Sequence, residues 1–162
     1  MERVPKGDRP KIPGGYLAPK LLAWSWAETR LSRSLNYWVA TVTPAGTPHA
    51  RPVWGVWLDQ RFLFSSGSRI RSNVSAGSRV SINLESGDEC VIVEGIASEL
   101  HETAAVRRVT DAYNSKYSWN LEAKPGEFFE VRPRVVFAWL CDGSGQDGGA
   151  LFAQTATRFL FE

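Results

Sequence analysis

The sequence predicts a mainly β protein in which an antiparallel barrel carries flanking helices. Short segments rich in β-branched and aromatic residues follow one another across brief turns, and long helices do not alternate with them. A chain of 162 residues is long enough for one domain with one hydrophobic core. We therefore expect a single domain over residues 20–162. It is preceded over residues 1–19 by an arm rich in Pro, Gly and Lys that is either flexible or extended along a partner.

In the first half of the chain, the hydrophobic period changes from that of a helix to that of strands. An approximate apolar stripe without Gly or Pro predicts a helix over Lys20–Ser34. Pro48 and Pro52 lack the amide donor that a ladder requires, so we expect the strand that contains them to be irregular or to lie at an edge. The predicted strands are Asn36–Thr43, Thr47–Leu58 and Arg61–Ser66, and a short helix follows the turn at Gly67.

The second half of the chain is predicted to hold longer strands and one long helix. Gly95 interrupts a strand pattern, which indicates a bulge or a close approach of two backbones. The predicted elements are strands at Arg79–Glu85 and Cys90–Leu100, a helix at Glu102–Tyr117, strands at Phe128–Arg132 and Arg134–Cys141, a loop at Asp142–Gly149 and a last strand at Thr155–Phe161.

Composition and charge argue against several classes of function. A net charge of +2, with acidic and basic residues interspersed, does not favour a nucleic-acid partner. No apolar run is long enough to span a bilayer and the N-terminus lacks the apolar core of a signal peptide, so we expect a cytoplasmic protein without a membrane partner. His49 and His101 are far apart and have no nearby cysteine, so no metal site is expected. Cys90 and Cys141 are expected to be free thiols.

One glycine-rich segment, Gly143–Gly148, matches the spacing of the dinucleotide-binding fingerprint. That motif binds a pyrophosphate only where a helix follows the glycines and presents its N-terminus to the ligand. Since residues 150–161 have the pattern of a strand, we interpret the segment as a mobile loop without a ligand.

The most informative stretch is Arg51–Asn73, where a strand, a serine-rich turn and a short helix follow one another. Serine hydroxyls donate hydrogen bonds, the first serine of the helix can cap it, and arginines form charge-assisted bonds with anions. These residue types suit a phosphate group, and the alternative is a solvated basic turn. The residues concerned are Ser65, Ser66, Ser68, Arg69 and Arg71.

Five segments in order, from about Trp24 to the end of the chain, resemble the pyridoxamine 5′-phosphate oxidase-like split-barrel superfamily. More narrowly, they are similar to its actinobacterial branch of deazaflavin-dependent oxidoreductases. The segments are NYWVATVTPAGTPHARPVWGVW (Asn36–Trp57), FLFSSGSRIRSNV (Phe62–Val74), VIVEGIA (Val91–Ala97), KYSW (Lys116–Trp119) and ATRFLF (Ala156–Phe161).

The resemblance implies a fold, an assembly and a cofactor site. The fold is a six-stranded antiparallel split β-barrel, the FMN-binding split barrel, and two chains form a homodimer with two cofactor sites between the subunits. In the family, the strand matching Arg51–Trp54 lies along the isoalloxazine-like ring, the serine-rich turn reaches the ribityl chain and the phosphate, and a C-terminal Thr-Arg pair lies near the site. The cofactor-binding residues so implied are Arg51, Pro52, Val53, Trp54, Phe64, Ser65, Ser66, Ser68, Arg69, Arg71, Asn73, Thr157 and Arg158.

Two positions depart from the family pattern. The phosphate turn of the family often reads Ser-Arg-Lys, and Ile70 stands here in place of the lysine. Either Arg71 compensates from the next position, or the cofactor binds weakly or differently, because an apolar side chain cannot neutralise a phosphate. Phe159 replaces the tryptophan that follows the Thr-Arg pair and keeps an aromatic ring.

The function implied by the resemblance is that of an oxidoreductase which uses coenzyme F420, with FMN as the nearest alternative, to transfer a hydride to a small organic acceptor. The cofactor carries the hydride and the protein positions it, so we assign no catalytic side chain. Two alternatives stay open. The first is an FMN-dependent enzyme like pyridoxamine 5′-phosphate oxidase, and the second is a non-catalytic protein that binds a flavin or a tetrapyrrole.

Overall fold

The computed structural model describes residues 4–11, 20–74 and 77–162, which form nine strands and four helices. No helix in these ranges has the length and apolar character needed to cross a membrane. The strands are β1 (Gly7–Asp8), β2 (Tyr37–Val42), β3 (Pro48–Val53), β4 (Gly55–Leu58), β5 (Arg61–Ser65), β6 (Ser78–Asn83), β7 (Glu89–Glu99), β8 (Phe128–Leu140) and β9 (Thr157–Leu160). The helices are α1 (Trp24–Arg33), α2 (Ser68–Asn73), α3 (Thr103–Tyr117) and α4 (Gln146–Thr155).

Every strand pairing in the described residues is antiparallel, which confirms the predicted mainly β architecture. The main order is β1-β9-β8-β7-β6-β2-β3, and β5 joins β8 to β4. The predicted count of six strands is not confirmed, because the sheet has nine strands and these pairings do not close it. Three of the nine, β1, β4 and β9, are no longer than four residues.

The predicted strand Thr47–Leu58 is two strands, because the chain changes partners at Trp54. β3 pairs with β2 at the end of the strand order, as its prolines predicted, whereas β4 pairs with β5. A side chain at Gly55 would put its Cβ 2.5 Å from the Phe62 ring, so only glycine fits where the two halves meet. Trp54 therefore lies between the two strands, at the point where the chain passes from one strand pair to the other.

β7 and β8 form the longest ladder of the sheet, and β8 is one strand of 13 residues rather than the two predicted around Pro133. The register of the ladder shifts between Glu94 and Gly95, which confirms the predicted irregularity. Pro133 pairs with Gly95 at this bulge, where a missing amide donor is tolerated. A Cβ at Gly95 would lie 2.4 Å from the Arg132 carbonyl oxygen, so the close backbone approach is also confirmed.

Helix α1 begins at Trp24 instead of the predicted Lys20 because the preceding residues bond elsewhere. The Lys20 amide donates to the Gln154 carbonyl at 2.9 Å, and the Leu22 amide donates to Thr157 Oγ1 at 2.9 Å. Upstream of these residues, β1 pairs with β9 of the same chain. The described part of the N-terminal arm thus lies along its own sheet.

The predicted loop and strand between residues 142 and 156 contain a helix, α4, so this interpretation was wrong. Two glycines and a threonine make Gln146–Thr155 a poor helix by propensity. Packing overrides propensity here: the Phe152 ring meets Trp139 edge-on at 5.5 Å. Thr155 Oγ1 also accepts a hydrogen bond from the Leu140 amide at 2.9 Å. Helix α4 is thereby attached to β8.

Candidate functional site

A polar cavity of 720 Å³ lies between β3, the end of β5 and helix α2. The described residues that line it include two arginines, one histidine and two serines, and no carboxylate is among them. Such a set of donors and cations favours an anionic ligand. The lining residues are His49, Arg51, Pro52, Ser66, Gly67, Arg69, Ile70 and Ser72.

The core anchors the helix that forms one wall of this cavity. The Ile70 side chain is only 2% exposed and belongs to the main hydrophobic cluster. Because Ile70 faces inward, its neighbour Arg69 is exposed and lines the cavity. The replacement of the family lysine by Ile70 is thus a replacement by a core residue.

The start of α2 differs from the sequence interpretation. Gly67 occupies the N-cap position and Ser68 is the first residue of the helix, so Ser68 does not cap it. The side chain of Ser68 lies outside the described part of the structure. With six residues, α2 contributes chiefly by placing Arg69.

Arg51, Pro52, Ser66 and Arg69 are the predicted site residues that the structure brings together around the cavity. Both arginine side chains are exposed, and neither forms an ion pair within the described residues. Two cations that have no carboxylate partner among the described residues therefore line one opening. This arrangement favours an anionic ligand.

Arg71 lies on a different side of α2. Its guanidinium donates to Glu99 Oε1 at 3.1 Å and to the Gly126 carbonyl oxygen at 3.0 Å, and it lies 4.8 Å from the centre of the Phe129 ring. These contacts tie α2 to β7 and β8. In this chain Arg71 does not take the place of the missing lysine at the cavity.

Asn73 and His49 both contact the buried hydroxyl of Thr41, beside the cavity. The Asn73 amide donates to Thr41 Oγ1 at 3.0 Å, and Thr41 Oγ1 lies 3.5 Å from His49 Nδ1. Partial burial, together with the charges of Arg51 and Arg69, lowers the pKa of His49. Sequence reasoning missed His49, although the alternation of β3 places it on the same face as Arg51.

The C-terminal pair, Thr157 and Arg158, lies on β9 and does not line this cavity. Arg158 forms a two-point ion pair with Asp8 of β1, with Nε 2.8 Å from Oδ1. The Thr157 hydroxyl is buried, where it accepts from Leu22 and donates to the Thr155 carbonyl at 2.8 Å. Both side chains have partners within their own chain.

Trp54 follows the cavity strand and leads to an exposed aromatic cluster. Its indole stacks on Tyr117 with ring centres 4.7 Å apart, and Trp119 meets it edge-on at 6.0 Å. Trp54 remains 42% exposed, so a flat ring has room to approach it. The Tyr117 hydroxyl accepts from the Gly55 amide at 2.9 Å, which fixes the backbone next to the indole.

The partly buried side chain of Lys116 also binds the backbone at Gly55. Its ammonium group donates to the Gly55 carbonyl at 2.9 Å and to the Tyr37 hydroxyl at 2.7 Å. Burial lowers the pKa of Lys116 to about 8. Helix α3 therefore holds the break between β3 and β4 through its last two residues, Lys116 and Tyr117.

Three further predicted site residues, Val53, Phe64 and Ser65, are not among the residues that line the cavity. Phe64 is fully buried, and its ring stacks on that of Phe62 with centres 5.4 Å apart. Val53 packs against the main hydrophobic cluster. Ser65 pairs with Phe128 in the sheet and does not line the cavity. These positions lie within one or two residues of the cavity and face away from it.

The glycine-rich segment that matches the dinucleotide fingerprint does precede a helix, contrary to the sequence interpretation. Its surroundings do not suit a pyrophosphate, because the Asp142 carboxylate accepts from the Ser144 amide at 2.9 Å at this turn. The Ser144 hydroxyl in turn accepts from the Gly148 amide at 3.0 Å. An anion would have to displace a carboxylate that already satisfies the turn.

A second cavity, of 480 Å³, lies on the outer face of the sheet formed by β2, β6, β7 and β8. Its lining is largely apolar, with Arg79, Glu94 and Arg134 among the strands. Close by on β2, Trp38 is 44% and Val42 is 54% exposed. Exposed apolar residues that lie together on one surface often mark an interaction site.

Within the described ranges, no group of three His, Cys, Asp or Glu residues is arranged to hold a metal ion. Cys90 and Cys141 are both free thiols, as the sequence predicted. Burial raises the pKa of the Cys90 thiol to about 11, so it stays protonated at neutral pH.

Solved structures with the same fold include proteins that bind several planar ligands. A FAD-binding protein from Mycobacterium smegmatis superposes with a TM-score of 0.58 at 18% identity, covering 87% of this chain and 98% of the other. An F420 reductase gives 0.52 at 23% identity, covering 77% and 98%. A heme-binding protein from Mycobacterium smegmatis gives 0.56 at 20% identity, covering 82% and 61%.

At these identities the likeness shows a shared fold, and no curated protein matches the sequence. The family model for pyridoxamine 5′-phosphate oxidase matches residues 27–140, which is more than two thirds of the chain. That range includes the whole polar cavity, from His49 to Ser72. The chain therefore belongs to the pyridoxamine 5′-phosphate oxidase family.

Proposed function

We propose that this protein binds a flavin-type cofactor, coenzyme F420 with FMN as the nearest alternative, and transfers a hydride from it to a small organic acceptor. The observation that carries the proposal is the polar cavity, where Arg51 and Arg69 lack carboxylate partners in the described chain. A phosphate supplies the anion that these two cations lack, and the exposed indole of Trp54 supplies a surface for a flat ring.

The residues present fit the phosphate-bearing end of such a cofactor by their chemistry. Arg51 and Arg69 would bind the phosphate, and the Ser66 hydroxyl would donate to it or to the sugar-like chain. When bound, the cofactor supplies the hydride, and the protein needs no general acid of its own. The task of this chain is then to hold the cofactor and to orient the acceptor beside Trp54.

A homodimer forms part of this proposal. The outer sheet face with Trp38 and Val42 is the apolar surface that a second copy would cover. We expect light scattering to give twice the mass of 18.0 kDa that one chain has. A monomer at micromolar concentration would refute the dimer and leave the cofactor proposal standing.

A protein that only holds its ligand is the second candidate. The cavity's cations and serines bind a phosphate without contributing to hydride chemistry, so the same lining suits a non-catalytic flavin carrier. The heme-binding neighbour extends this alternative to a tetrapyrrole. The third candidate is an FMN-dependent enzyme similar to pyridoxamine 5′-phosphate oxidase, whose cofactor would place its phosphate in the same cavity.

Binding and turnover separate these candidates. Purified protein is titrated with coenzyme F420, FMN and heme, and reduced F420 and reduced FMN are then supplied with a panel of enones and quinones. The proposal expects saturable binding of F420 and faster oxidation of its reduced form in the presence of one acceptor class. Binding without any turnover would favour the carrier, and binding of heme alone would overturn the flavin assignment.

A further inference from the structure

Among the described residues that line the polar cavity, His49 is the only histidine, the residue type whose ordinary pKa lies closest to neutral pH. It lies on β3 two residues before Arg51, and its ring is partly buried. Thr41 Oγ1 lies 3.5 Å from Nδ1 and donates to the His49 carbonyl at 3.4 Å, so β2 supports the residue from behind. Since Nδ1 contacts Thr41, Nε2 is the ring nitrogen left for a ligand.

The charged groups around His49 come from two elements. Arg51 lies on its own strand and Arg69 comes from α2, whereas β2 presents only the neutral hydroxyl of Thr41. None of the lining residues that the structure describes is a carboxylate. Partial burial and the two guanidinium groups lower the pKa of His49, which favours the neutral form of its imidazole.

A phosphate bound beside the two arginines reverses this balance. Its negative charge offsets the repulsion that Arg51 and Arg69 exert on an imidazolium, and its oxygens accept a hydrogen bond from the protonated ring. We propose that His49 is a third phosphate-binding residue, and that it takes up one proton from solvent when the cofactor's phosphate enters the cavity. This inference rests on the proposed function and adds a proton to its binding step.

The sign of the pH dependence follows from linkage. The pKa of His49 is low in the free protein and higher in the complex, so the complex binds more protons than its separate components. Cofactor affinity is then greatest at pH values below the pKa of the free protein, and the gain disappears as pH rises through the pKa of the complex. Each unit by which binding raises the pKa of His49 makes binding about tenfold tighter at low pH.

Histidine NMR tests the inference directly, because the chain contains only two histidines. Imidazole resonances are followed between pH 5 and 8 for the free protein and for its complexes with FMN, coenzyme F420 and inorganic pyrophosphate. We expect the pKa of His49 to rise by about one unit or more in each complex. His101 serves as an internal control, since its partner is Glu99 at 3.2 Å and it does not line the cavity.

Two variants and one ligand complete the design. His49→Gln cannot take up the proton, so any change in its cofactor affinity between pH 5.5 and 8 should reflect only the second ionisation of the phosphate itself, at about pH 6. The wild-type protein should show an additional gain in affinity at pH 5.5 relative to this variant. His49→Arg carries a permanent charge and should keep tight binding at both pH values. Riboflavin, which lacks the phosphate, should leave the pKa of His49 unchanged in the wild-type protein.

The outcomes separate the two levels of the proposal. A bound phosphate ligand that leaves the pKa of His49 unchanged overturns the inference while the proposed function stands. If neither FMN nor F420 binds, the proposed function fails, and the pyrophosphate arm still decides whether His49 senses an anion in this cavity. Failure of pyrophosphate to move the His49 resonance would then overturn the inference as well.

Discussion

Two arginines of the same short helix, Arg69 and Arg71, have opposite surroundings. Arg69 lines the polar cavity and forms no ion pair in the described chain. Arg71 is bound to Glu99 and to the Gly126 carbonyl and lies against Phe129. Both belong to one segment that resembles a phosphate turn. The difference shows that the presence of a neighbouring carboxylate, and not the sequence motif alone, decides which cation is available to a ligand.

The remaining cations of interest extend this comparison. Arg51 is available to a ligand in the same way as Arg69, whereas Arg158 is engaged with Asp8. Lys116 represents a third case, since its hydrogen-bond partners are the neutral oxygens of Tyr37 and Gly55. The three classes predict different consequences when the charge is removed.

The largest effect should separate Arg69 from Arg71. Arg69→Gln removes a charge-assisted contact worth about 1.5–3 kcal/mol, so cofactor affinity should fall roughly 10- to 100-fold. Arg71→Gln, the matched control on the same helix, should leave affinity within about twofold, since its partners are protein groups. Fluorescence titration with FMN or F420 measures both.

Stability should show the reverse order for this pair. Arg71→Gln loses a surface ion pair and a backbone contact, which together are worth about 1 kcal/mol. Equal losses of affinity in the two variants would mean that the cavity extends to Arg71 in the complex. The distinction between the two arginines would then be lost.

The sequence could predict the site region but not the direction of each side chain. Residue types and turn signals are local, so the sequence could point to the segment from Arg51 to Arg69, and the structure brings Arg51, Ser66 and Arg69 together around one cavity. The partners of Arg71 and Arg158, Glu99 and Asp8, are 28 and 150 residues away along the chain. No pattern in one sequence shows such pairings.

The second prediction concerns Lys116, whose pKa burial lowers to about 8. Between pH 8 and 10 the folded chain has lost this proton while the unfolded chain still holds it, so the residue's contribution makes the folded state more stable as pH rises. The slope is at most about 1.4 kcal/mol per pH unit. Lys116→Met should remove this contribution.

Urea unfolding at pH 8 and 9.5 measures the effect as a difference between wild type and variant. Cys90 also makes stability depend on pH in this range, because its thiol ionises near its ordinary pKa in the unfolded chain and only at about pH 11 in the folded chain. This contribution is the same in both proteins and cancels in the difference. If the difference in unfolding free energy between wild type and variant stays constant with pH, the pKa of Lys116 is not lowered in the folded protein. Lys116 would then not differ from an exposed lysine.

The smallest effect is expected at the ion pair between β1 and β9. Arg158→Gln and Asp8→Asn should each lower the unfolding free energy only slightly, because water screens an ion pair whose side chains are this exposed. Arg158 lowers the pKa of Asp8, so this contribution is present above the ordinary carboxyl pKa and is lost as pH falls through the lowered value.

Thermal unfolding at pH 7 measures the contribution of the ion pair to stability. A cofactor titration tests whether Arg158 takes part in cofactor binding. We expect affinity to be unchanged in both variants. Loss of affinity in Arg158→Gln without loss of stability would instead place Arg158 at a cofactor site, as the family resemblance implies.

The sequence predicted the fold correctly where strands are regular. The prediction failed where tertiary packing determines the secondary structure. β2, β5 and α3 lie within one residue of their predicted limits, because period and turn residues define them locally. The change of partner at Trp54 depends on contacts of Gly55 with Phe62 and Tyr117, which the sequence alone does not bring together. Helix α4 contradicts its own propensity because β8 supplies its packing surface.

The most direct test of the central claim is a crystal structure of this protein with FMN or coenzyme F420 bound. The claim is that the cofactor's phosphate lies between β3 and α2, so we expect its oxygens within hydrogen-bond distance of the Arg51 and Arg69 guanidinium groups. A phosphate bound instead at the outer sheet face near Arg134, or at Arg158 with Asp8 displaced, would contradict the account.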